Sequence, residues 1–273
     1  GFKYTFDLGI KAIEFDVLIS KDNIPVLYHD YTLNTNMVKD KNGNWIDNFD
    51  LKIMDLTYDQ ISNYSIESLK PGSGYSDRFK NQKSVEGAKI PKLIDLFKLA
   101  NKENYKDVFL NLEVKSNPNL NDVTPEPKEM VATILKDIKD YNLEDRIVVT
   151  SFDWRILYEL KKQNPNVLRG FLTLQQNLGS TKKNIYENSP WINKEFTMEE
   201  LFLLPNIIKS IEGHVWSAFY RDITKQNVEL AHKQGLAVNV WTVNREQDII
   251  RMIEYGVDGI ITDYPKKVQE ICK

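Results

Sequence analysis

The sequence is poor in the residues on which several common kinds of site depend. Its 273 residues include one cysteine, Cys272, and three histidines. A single cysteine excludes an intrachain disulfide framework and a cysteine-rich metal cluster. No apolar run in the sequence approaches the ~20 residues that a membrane-spanning helix needs. We therefore expect no stable insertion into a membrane.

The sequence also has no large excess of positive or of negative residues. The chain has 36 Lys and Arg against 39 Asp and Glu, which gives a formal net charge of −3. This near balance, spread along the chain, argues against nucleic acid or an anionic membrane surface as the principal partner. The composition is that of an ordinary globular protein, and the length suits one large barrel or two ordinary domains.

Short β-rich runs alternate with longer helical patterns, which is typical of βα units and a parallel sheet. Thr224 before Lys225–Gln234 and Gly235 after it are examples of helix start and stop residues. The predicted strands are Ala12–Ser20, Val108–Lys115, Arg146–Phe152, Val167–Leu174, His214–Ala218, Leu236–Val243 and Gly259–Asp263. The pattern predicts an α/β fold, a (β/α)8 TIM barrel; the alternative is an open sheet that starts with a helix.

A closed barrel of this kind needs eight parallel strands, one more than these runs supply. Phe2–Leu8 looks like the end of a helix capped by Gly9, with no strand before it. We therefore expect the first strand to be missing from this chain, upstream of Gly1. The mixed pattern from about residue 31 to 88 predicts a small insertion after the second strand, over the barrel mouth. Residues 1–273 then form a single domain.

Acidic residues occupy alternate positions in the first two predicted strands. Alternation places Glu14 and Asp16 inside the barrel, and Asn111, Glu113 and Lys115 on one face of the next strand. Inward acids are costly unless they bind a cation or are paired. Carboxylates without thiolates predict a site for one hard divalent cation, Mg²⁺ or Ca²⁺. The alternative is a buried ion-pair network in which Lys115 neutralises Glu113.

Four further side chains are candidates for binding or catalysis. His29 follows a short apolar run, and an imidazole titrates near neutrality, which suits proton transfer. Lys115 can hold a phosphate as a point charge. Trp241 lies late in a strand, where an inward indole forms an apolar wall for a small ligand. Ser151 has the same late position and could donate to an anion. For His29 and Trp241 a purely structural role remains the alternative.

Several blocks of sequence, in order along nearly the whole chain, match the pattern of one family. Leu8–Val17 and Ser20–Leu33 have the form E-x-D…K-D-G-x-P-V-x-x-H-D-x-x-L, with Asn23 in place of the glycine. Asn tolerates the same left-handed backbone. The other matching blocks are Gly87–Pro91, Leu112–Lys115, Thr150–Asp153, Ala231–Gly235, Trp241–Asn244 and Gly256–Pro265. In these blocks the chain resembles the glycerophosphodiester phosphodiesterase family.

The resemblance implies a role for most of the candidate residues. It implies that Glu14, Asp16 and Glu113 are metal ligands and that His29 is one of two catalytic histidines. It also implies that Lys115 binds the phosphate and that Trp241 lines the glycerol side of the site. The family begins with a strand that ends in His-Arg-Gly, followed by a Glu-Asn pair. These carry the second catalytic histidine, an arginine for the phosphate and a further metal ligand, and the sequence does not contain them.

The implied activity is metal-dependent hydrolysis of a small-molecule glycerophosphodiester to an alcohol and sn-glycerol 3-phosphate. The resemblance also implies that the glycerol hydroxyl attacks first and that water then opens a cyclic phosphate. Three alternatives stay open at this point. They are a sphingomyelinase D-like phospholipase, a metal-dependent lyase of the enolase type, and a non-catalytic barrel that binds phosphate esters. The sequence leaves the oligomeric state and the compartment open.

Overall fold

The computed structural model describes residues 1–120, 122–179 and 181–273. Within these residues the strands are β1 Ala12–Ile19, β2 Pro25–Leu27, β3 Phe109–Val114, β4 Ile147–Ser151, β5 Leu168–Thr173, β6 Val215–Phe219, β7 Ala237–Trp241 and β8 Gly259–Ile260. The helices are α1 Phe2–Asp7, α2 Tyr58–Ser62, α3 Gly74–Arg78, α4 Leu93–Ala100, α5 Pro127–Asp140, α6 Trp154–Gln163, α7 Met198–Leu201, α8 Leu204–Ser210, α9 Lys225–Lys233, α10 Glu246–Tyr255 and α11 Pro265–Ile271.

The strands form one sheet in the order β2-β1-β3-β4-β5-β6-β7-β8. All neighbours pair in parallel except β2, which runs antiparallel to β1. Each of the seven predicted strands is present, although β8 is shorter than expected. The predicted α/β class is therefore confirmed. Helices connect the parallel strands, so the carboxyl ends of those strands lie at one face, where barrel enzymes have their active sites.

The two edges of the sheet are β2 and β8. In the described part of the chain β8 pairs with β7 alone. The additional strand expected upstream of Gly1 stays a prediction. Residues 28–92, between β2 and α4, hold α2 and α3. A small apolar core beneath them includes Leu33, Ile53 and Ile61 and packs on Leu18 and Val26 of the sheet.

Side chains on the outer face of the sheet form the main core. Phe15 and Val17 of β1 and Leu110 and Leu112 of β3 are buried there against the helices. Burying one such side chain contributes roughly 1.5–3 kcal/mol relative to leaving it exposed. The register follows from this burial, because a shift by one residue would turn the apolar set inward and the acids toward the helices.

Turn residues account for the local boundaries. Gly9, just after α1, has φ +74°, and Asn23, in the turn between β1 and β2, has φ +58°. Both confirm the left-handed positions expected from the sequence. Arg245 is the N-cap residue of α10. The side chain of Asn244, one residue earlier, does not cap the helix but bonds across to Thr262 and Asp263.

The helices of the described residues are short. The longest, α5, has 14 residues, and none is both long and apolar enough to cross a bilayer.

Candidate active site

Three carboxylates converge where β1 and β3 pair. The parallel register places Asp16 directly opposite Glu113, and Glu14 lies two residues before Asp16 on the same inward face. One carboxylate oxygen from each of the three lies within 4.8 Å of the others. The tertiary structure thus brings together all three predicted metal ligands. This oxygen-only set could hold a hard metal ion.

Negative charge dominates this cluster. Burial, and then the charges of Asp16 and Glu113, raise the pKa of Glu14 well above its usual value. Burial also raises the pKa of Glu113. A raised carboxyl pKa means that the negative charge of the ionised form is not fully balanced by nearby positive charge. A bound cation would supply the missing positive charge, so the chemistry of the donor set fits a divalent ion.

Lys115 supplies part of the compensation. Its Nζ lies 2.8 Å from Oε1 of Glu113 and 3.6 Å from Oδ1 of Asp16. Burial alone would lower the pKa of Lys115, but these two carboxylates outweigh it and raise that pKa above its usual value. The ion pair that the alternative interpretation proposed between Lys115 and Glu113 does form. One ammonium cannot balance the charge of three ionised carboxylates, however. The pair therefore leaves a net negative charge that a metal ion could neutralise.

The residue after Lys115 is held by two hydrogen bonds. The Ser116 hydroxyl donates to Oδ2 of Asp153 at 2.7 Å, and the Tyr31 hydroxyl donates to the Ser116 carbonyl at 3.0 Å. Asp153 is fully buried and accepts from the Arg155 guanidinium at 2.7 Å. Sequence reasoning missed Tyr31 and Asp153. The position of Asp153 as the N-cap of α6 directly after β4 was the available signal.

His29 lies just beyond β2 with its side chain 65% exposed. Nδ1 is 2.6 Å from Oδ1 of Asp30, and Oδ2 of Asp30 accepts from the Asn34 amide at 2.7 Å. The hydrogen bond to Asp30 raises the pKa of His29. Because Nδ1 faces Asp30, Nε2 is the ring nitrogen left for exchanging a proton with a ligand.

Aromatic side chains gather at the carboxyl ends of β4, β6 and β7. The Trp241 ring centroid lies 5.2 Å from that of Phe152 and 5.3 Å from that of Phe219. The indole N–H donates to the Ser217 carbonyl at 3.2 Å, which fixes the ring. Trp241 therefore belongs to an aromatic cluster at this face, together with Phe152 and Phe219. The expectation that this cluster forms a wall for a ligand stays a prediction.

Ser151 requires a correction. It lies on the outer face of β4, fully buried, and its hydroxyl donates to the Val114 carbonyl at 2.8 Å. The same hydroxyl accepts from the Asp153 N–H at 3.1 Å. Ser151 is thus committed to the turn between β4 and α6 and cannot donate to an anion. The late position in the strand was read correctly, but alternation turns this side chain toward the helices.

A further charged pair lies at the end of β8. Oδ2 of Asp263 accepts from the Asn244 amide at 2.7 Å and from the Arg78 guanidinium at 2.9 Å. After burial, Asp16 and Glu113, the charge of Asp263 also contributes to the raised pKa of Glu14. Asp263 is therefore within electrostatic range of the three carboxylates. Through Arg78, helix α3 of the insertion also contacts Asp263.

Comparison with known proteins identifies the family of this chain. The sequence model of the glycerophosphoryl diester phosphodiesterase family matches residues 1–267. The chain belongs to this family. The family predicted from the sequence, and with it the enzyme class of phosphodiester hydrolases, is thereby confirmed.

Individual relatives also match nearly the whole chain. A glycerophosphodiester phosphodiesterase of Caldanaerobacter subterraneus subsp. tengcongensis is 31% identical over 100% of this chain and 90% of its own length. A crystal structure assigned as a glycerophosphoryl diester phosphodiesterase of Silicibacter pomeroyi DSS-3 is 33% identical, with a TM-score of 0.86 over 99% of this chain and 85% of that one. An Oleispira antarctica phosphodiesterase, solved with its product sn-glycerol 3-phosphate, is 20% identical and has a TM-score of 0.68 over 98% and 87% of the two chains. This last likeness is one of fold.

Proposed function

We propose that this protein hydrolyses glycerophosphodiesters to an alcohol and sn-glycerol 3-phosphate with the aid of one divalent cation, Mg²⁺ or Ca²⁺. The observation that carries the proposal is the convergence of Glu14, Asp16 and Glu113 beside Lys115, at the active-site face, in a chain that belongs to the family. The product bound by the Oleispira relative supports the identity of the released monoester.

The cation would be held by the three carboxylates. When bound, it would supply positive charge to the phosphoryl oxygens and offset the charge that builds up in the transition state. Oxygen ligands favour Mg²⁺ or Ca²⁺ over zinc.

Lys115 binds a non-bridging phosphoryl oxygen in this proposal. Its ammonium is fully charged at neutral pH, since the neighbouring carboxylates raise its pKa. Its place beside Glu113 is fixed by the 2.8 Å contact and by the anchored Ser116 that follows. A preorganised cation of this kind stabilises developing negative charge without reorganising during the reaction.

His29 moves a proton through Nε2. When the glycerol hydroxyl attacks phosphorus, its oxygen forms the new P–O bond and loses its proton. The bond from phosphorus to the alcohol oxygen breaks, that oxygen gains one proton, and a cyclic phosphate remains. Water then opens the ring and gives sn-glycerol 3-phosphate. The bond from Nδ1 to Asp30 orients the imidazole and stabilises its charged form. The face of Trp241 packs against the glycerol carbons.

A diester with a longer alcohol is the second candidate substrate, which corresponds to the phospholipase alternative. The observation in its favour is Phe49, 71% exposed. This ring lines a pocket of about 240 Å³ together with Asp30 and Asn34, next to His29. This one exposed ring, in an otherwise largely polar pocket beside the proton-transfer residue, could contact an alkyl chain.

Release of sn-glycerol 3-phosphate from glycerophosphocholine tests the proposal. The assay is run after removal of metal ions and again with Mg²⁺ or Ca²⁺ added, on wild type, Glu113→Gln and the exposed control Glu86→Gln. We expect divalent-dependent turnover in wild type and control and its loss in Glu113→Gln. Lysophosphatidylcholine in micelles serves as the second substrate.

The outcomes separate the candidates. Equal turnover by wild type and Glu113→Gln would remove the cation from the proposal. Turnover of the micellar substrate alone would favour the phospholipase alternative. Absence of turnover of either substrate, in protein that is folded by circular dichroism, would contradict the proposed function.

A further inference from the structure

His29 belongs to a short loop, residues 28–34, that directly follows β2. The beginning of this loop is fixed on β1, because the Tyr28 N–H donates to the carbonyl of Asp16 at 3.2 Å. The Tyr28 side chain is buried, and its hydroxyl accepts from the Asn34 N–H at 2.8 Å. The His29 loop is therefore closed on itself and has one anchor on a strand of the candidate site.

A second anchor joins the His29 loop to the neighbouring strand. The Tyr31 hydroxyl donates at 3.0 Å to the carbonyl of Ser116, which directly follows Lys115 beyond the end of β3. Burial raises the pKa of Tyr31 to about 12, so at neutral pH the hydroxyl keeps the proton that it donates. This bond sets the distance between the loop that carries His29 and the residue next to Lys115.

The residue that accepts this bond is itself well fixed. Ser116 is buried, and its hydroxyl donates to Oδ2 of Asp153 at 2.7 Å. The Arg155 guanidinium donates to both carboxylate oxygens of the fully buried Asp153, at 2.9 Å to Oδ1 and 2.7 Å to Oδ2. A bidentate pair of this kind has a defined geometry. The Ser116 carbonyl is thus a rigid point to which Tyr31 attaches the His29 loop.

His29 and Lys115 lie within electrostatic range of each other. The hydrogen bond to Asp30 raises the pKa of His29, and burial and then the charge of Lys115 oppose that rise. In the proposed reaction both side chains act on one phosphodiester, Lys115 on a phosphoryl oxygen and His29 on a proton of a reacting oxygen. A misplacement of about 1 Å between such groups can cost a large part of the rate. The distance between the two side chains therefore matters for catalysis.

We propose that Tyr31 is a positioning residue that holds the His29 loop at a fixed distance from Lys115. It acts through its hydrogen bond to the Ser116 carbonyl and does not touch the substrate. The consequence for catalysis rests on the proposed function, whereas the attachment of the loop does not depend on activity. Loss of the bond should lower kcat, because His29 then also occupies positions that do not allow proton transfer. KM should change little, since Lys115 and the three carboxylates keep their places.

The test compares wild type with Tyr31→Phe and with the matched control Tyr58→Phe. The Tyr58 hydroxyl donates to the Ile90 carbonyl at 3.1 Å, so the control loses the same kind of bond in the same insertion but no link to β3. On glycerophosphocholine with Mg²⁺ or Ca²⁺ present, we expect kcat of Tyr31→Phe to fall about three- to ten-fold, the range for one neutral hydrogen bond. KM should stay within about two-fold, and Tyr58→Phe should keep both constants. Wild-type kcat in Tyr31→Phe would overturn the inference.

A double variant shows whether Tyr31 acts through His29. Asp30→Asn removes the carboxylate that orients the His29 ring. In that background Tyr31→Phe should lower kcat by less than about two-fold, because the position of the ring is already lost and the two effects are not independent. If the two substitutions instead lower kcat by the full product of their separate effects, Tyr31 acts on another group and the inference is wrong.

Hydrogen exchange of residues 28–34 provides a readout that needs no activity. Their amides should exchange faster in Tyr31→Phe than in wild type and at the wild-type rate in Tyr58→Phe, because only the first variant releases the loop from β3. Equal exchange in all three proteins would show that the bond does not hold the loop. A wild type that does not hydrolyse glycerophosphocholine would contradict the proposed function. The exchange rates would still decide whether Tyr31 attaches the loop.

Discussion

The ammonium of Lys115 lies 2.8 Å from the carboxylate of Glu113, two residues earlier in the chain. Asp16, opposite Glu113 on the paired strand, contacts the same ammonium at 3.6 Å. One side chain thus contacts two candidate metal ligands and carries the charge proposed for phosphate binding. Several predictions about the site depend on this arrangement.

Replacing Lys115 by Met should lower kcat by about 10²-fold or more, the usual loss when one preorganised charge is removed from a site. The measurement is initial-rate kinetics on glycerophosphocholine at saturating Mg²⁺. Lys11→Met, which removes an exposed lysine just before β1, is the control. A Lys115→Met enzyme with wild-type kcat would show that this ammonium does not act on the phosphate.

Divalent ions should stabilise the folded protein. A ligand at 100 times its dissociation constant adds about 2.7 kcal/mol, which raises Tm by about 5–10 °C in a domain of this size. Thermal unfolding with and without Mg²⁺ or Ca²⁺ measures the shift. It should vanish in Glu113→Gln and persist in Glu86→Gln. An identical shift in all three proteins would place the ion elsewhere.

The pH dependence of catalysis should follow the His29–Asp30 pair. Their hydrogen bond raises the pKa of His29, so the ring stays protonated to higher pH than an ordinary imidazole. In Asp30→Asn that pKa falls, and the limb of the kcat/KM profile that reports His29 should move to lower pH. Asp47→Asn, an exposed acid of the insertion, should leave the profile unchanged. A limb that does not move in Asp30→Asn would indicate that another group titrates.

Ser151→Ala should affect stability and not binding. The variant loses the bond to the Val114 carbonyl and leaves the Asp153 N–H without its acceptor. Each lost buried bond costs about 1–2 kcal/mol, measurable by urea unfolding. KM for glycerophosphocholine should stay within about two-fold of wild type. A ten-fold rise in KM would restore Ser151 as a substrate-binding residue.

Trp241→Ala should raise KM about ten-fold, because it removes the apolar wall proposed for the glycerol carbons and its contacts with Phe152 and Phe219. Trp241→Phe keeps an aromatic face and should recover most of the affinity. Steady-state kinetics of the two variants make the comparison. Equal KM values for Trp241→Ala and wild type would leave the indole with a packing role only.

The strands and the acidic residues were predictable from the sequence because alternation is a local property. Glu14 and Asp16 share a face whatever lies next to them, and Glu113 shares a face with Lys115 for the same reason. Ser151 follows the same rule. Its late position in the strand suggested anion binding, but alternation from Thr150, which pairs with the inward Glu113, places it on the outer face.

Local sequence by itself determined that this chain is an α/β protein with acids on the inner face of two strands and a histidine after a third. Only the tertiary structure decided which residues meet across elements: Asp16 with Glu113, Tyr31 with Ser116, and Arg78 with Asp263. The last two pairs are 85 and 185 residues apart in the chain. Periodicity extends over a few residues, whereas such contacts depend on strand register and on how the sheet curls to bring its edges together.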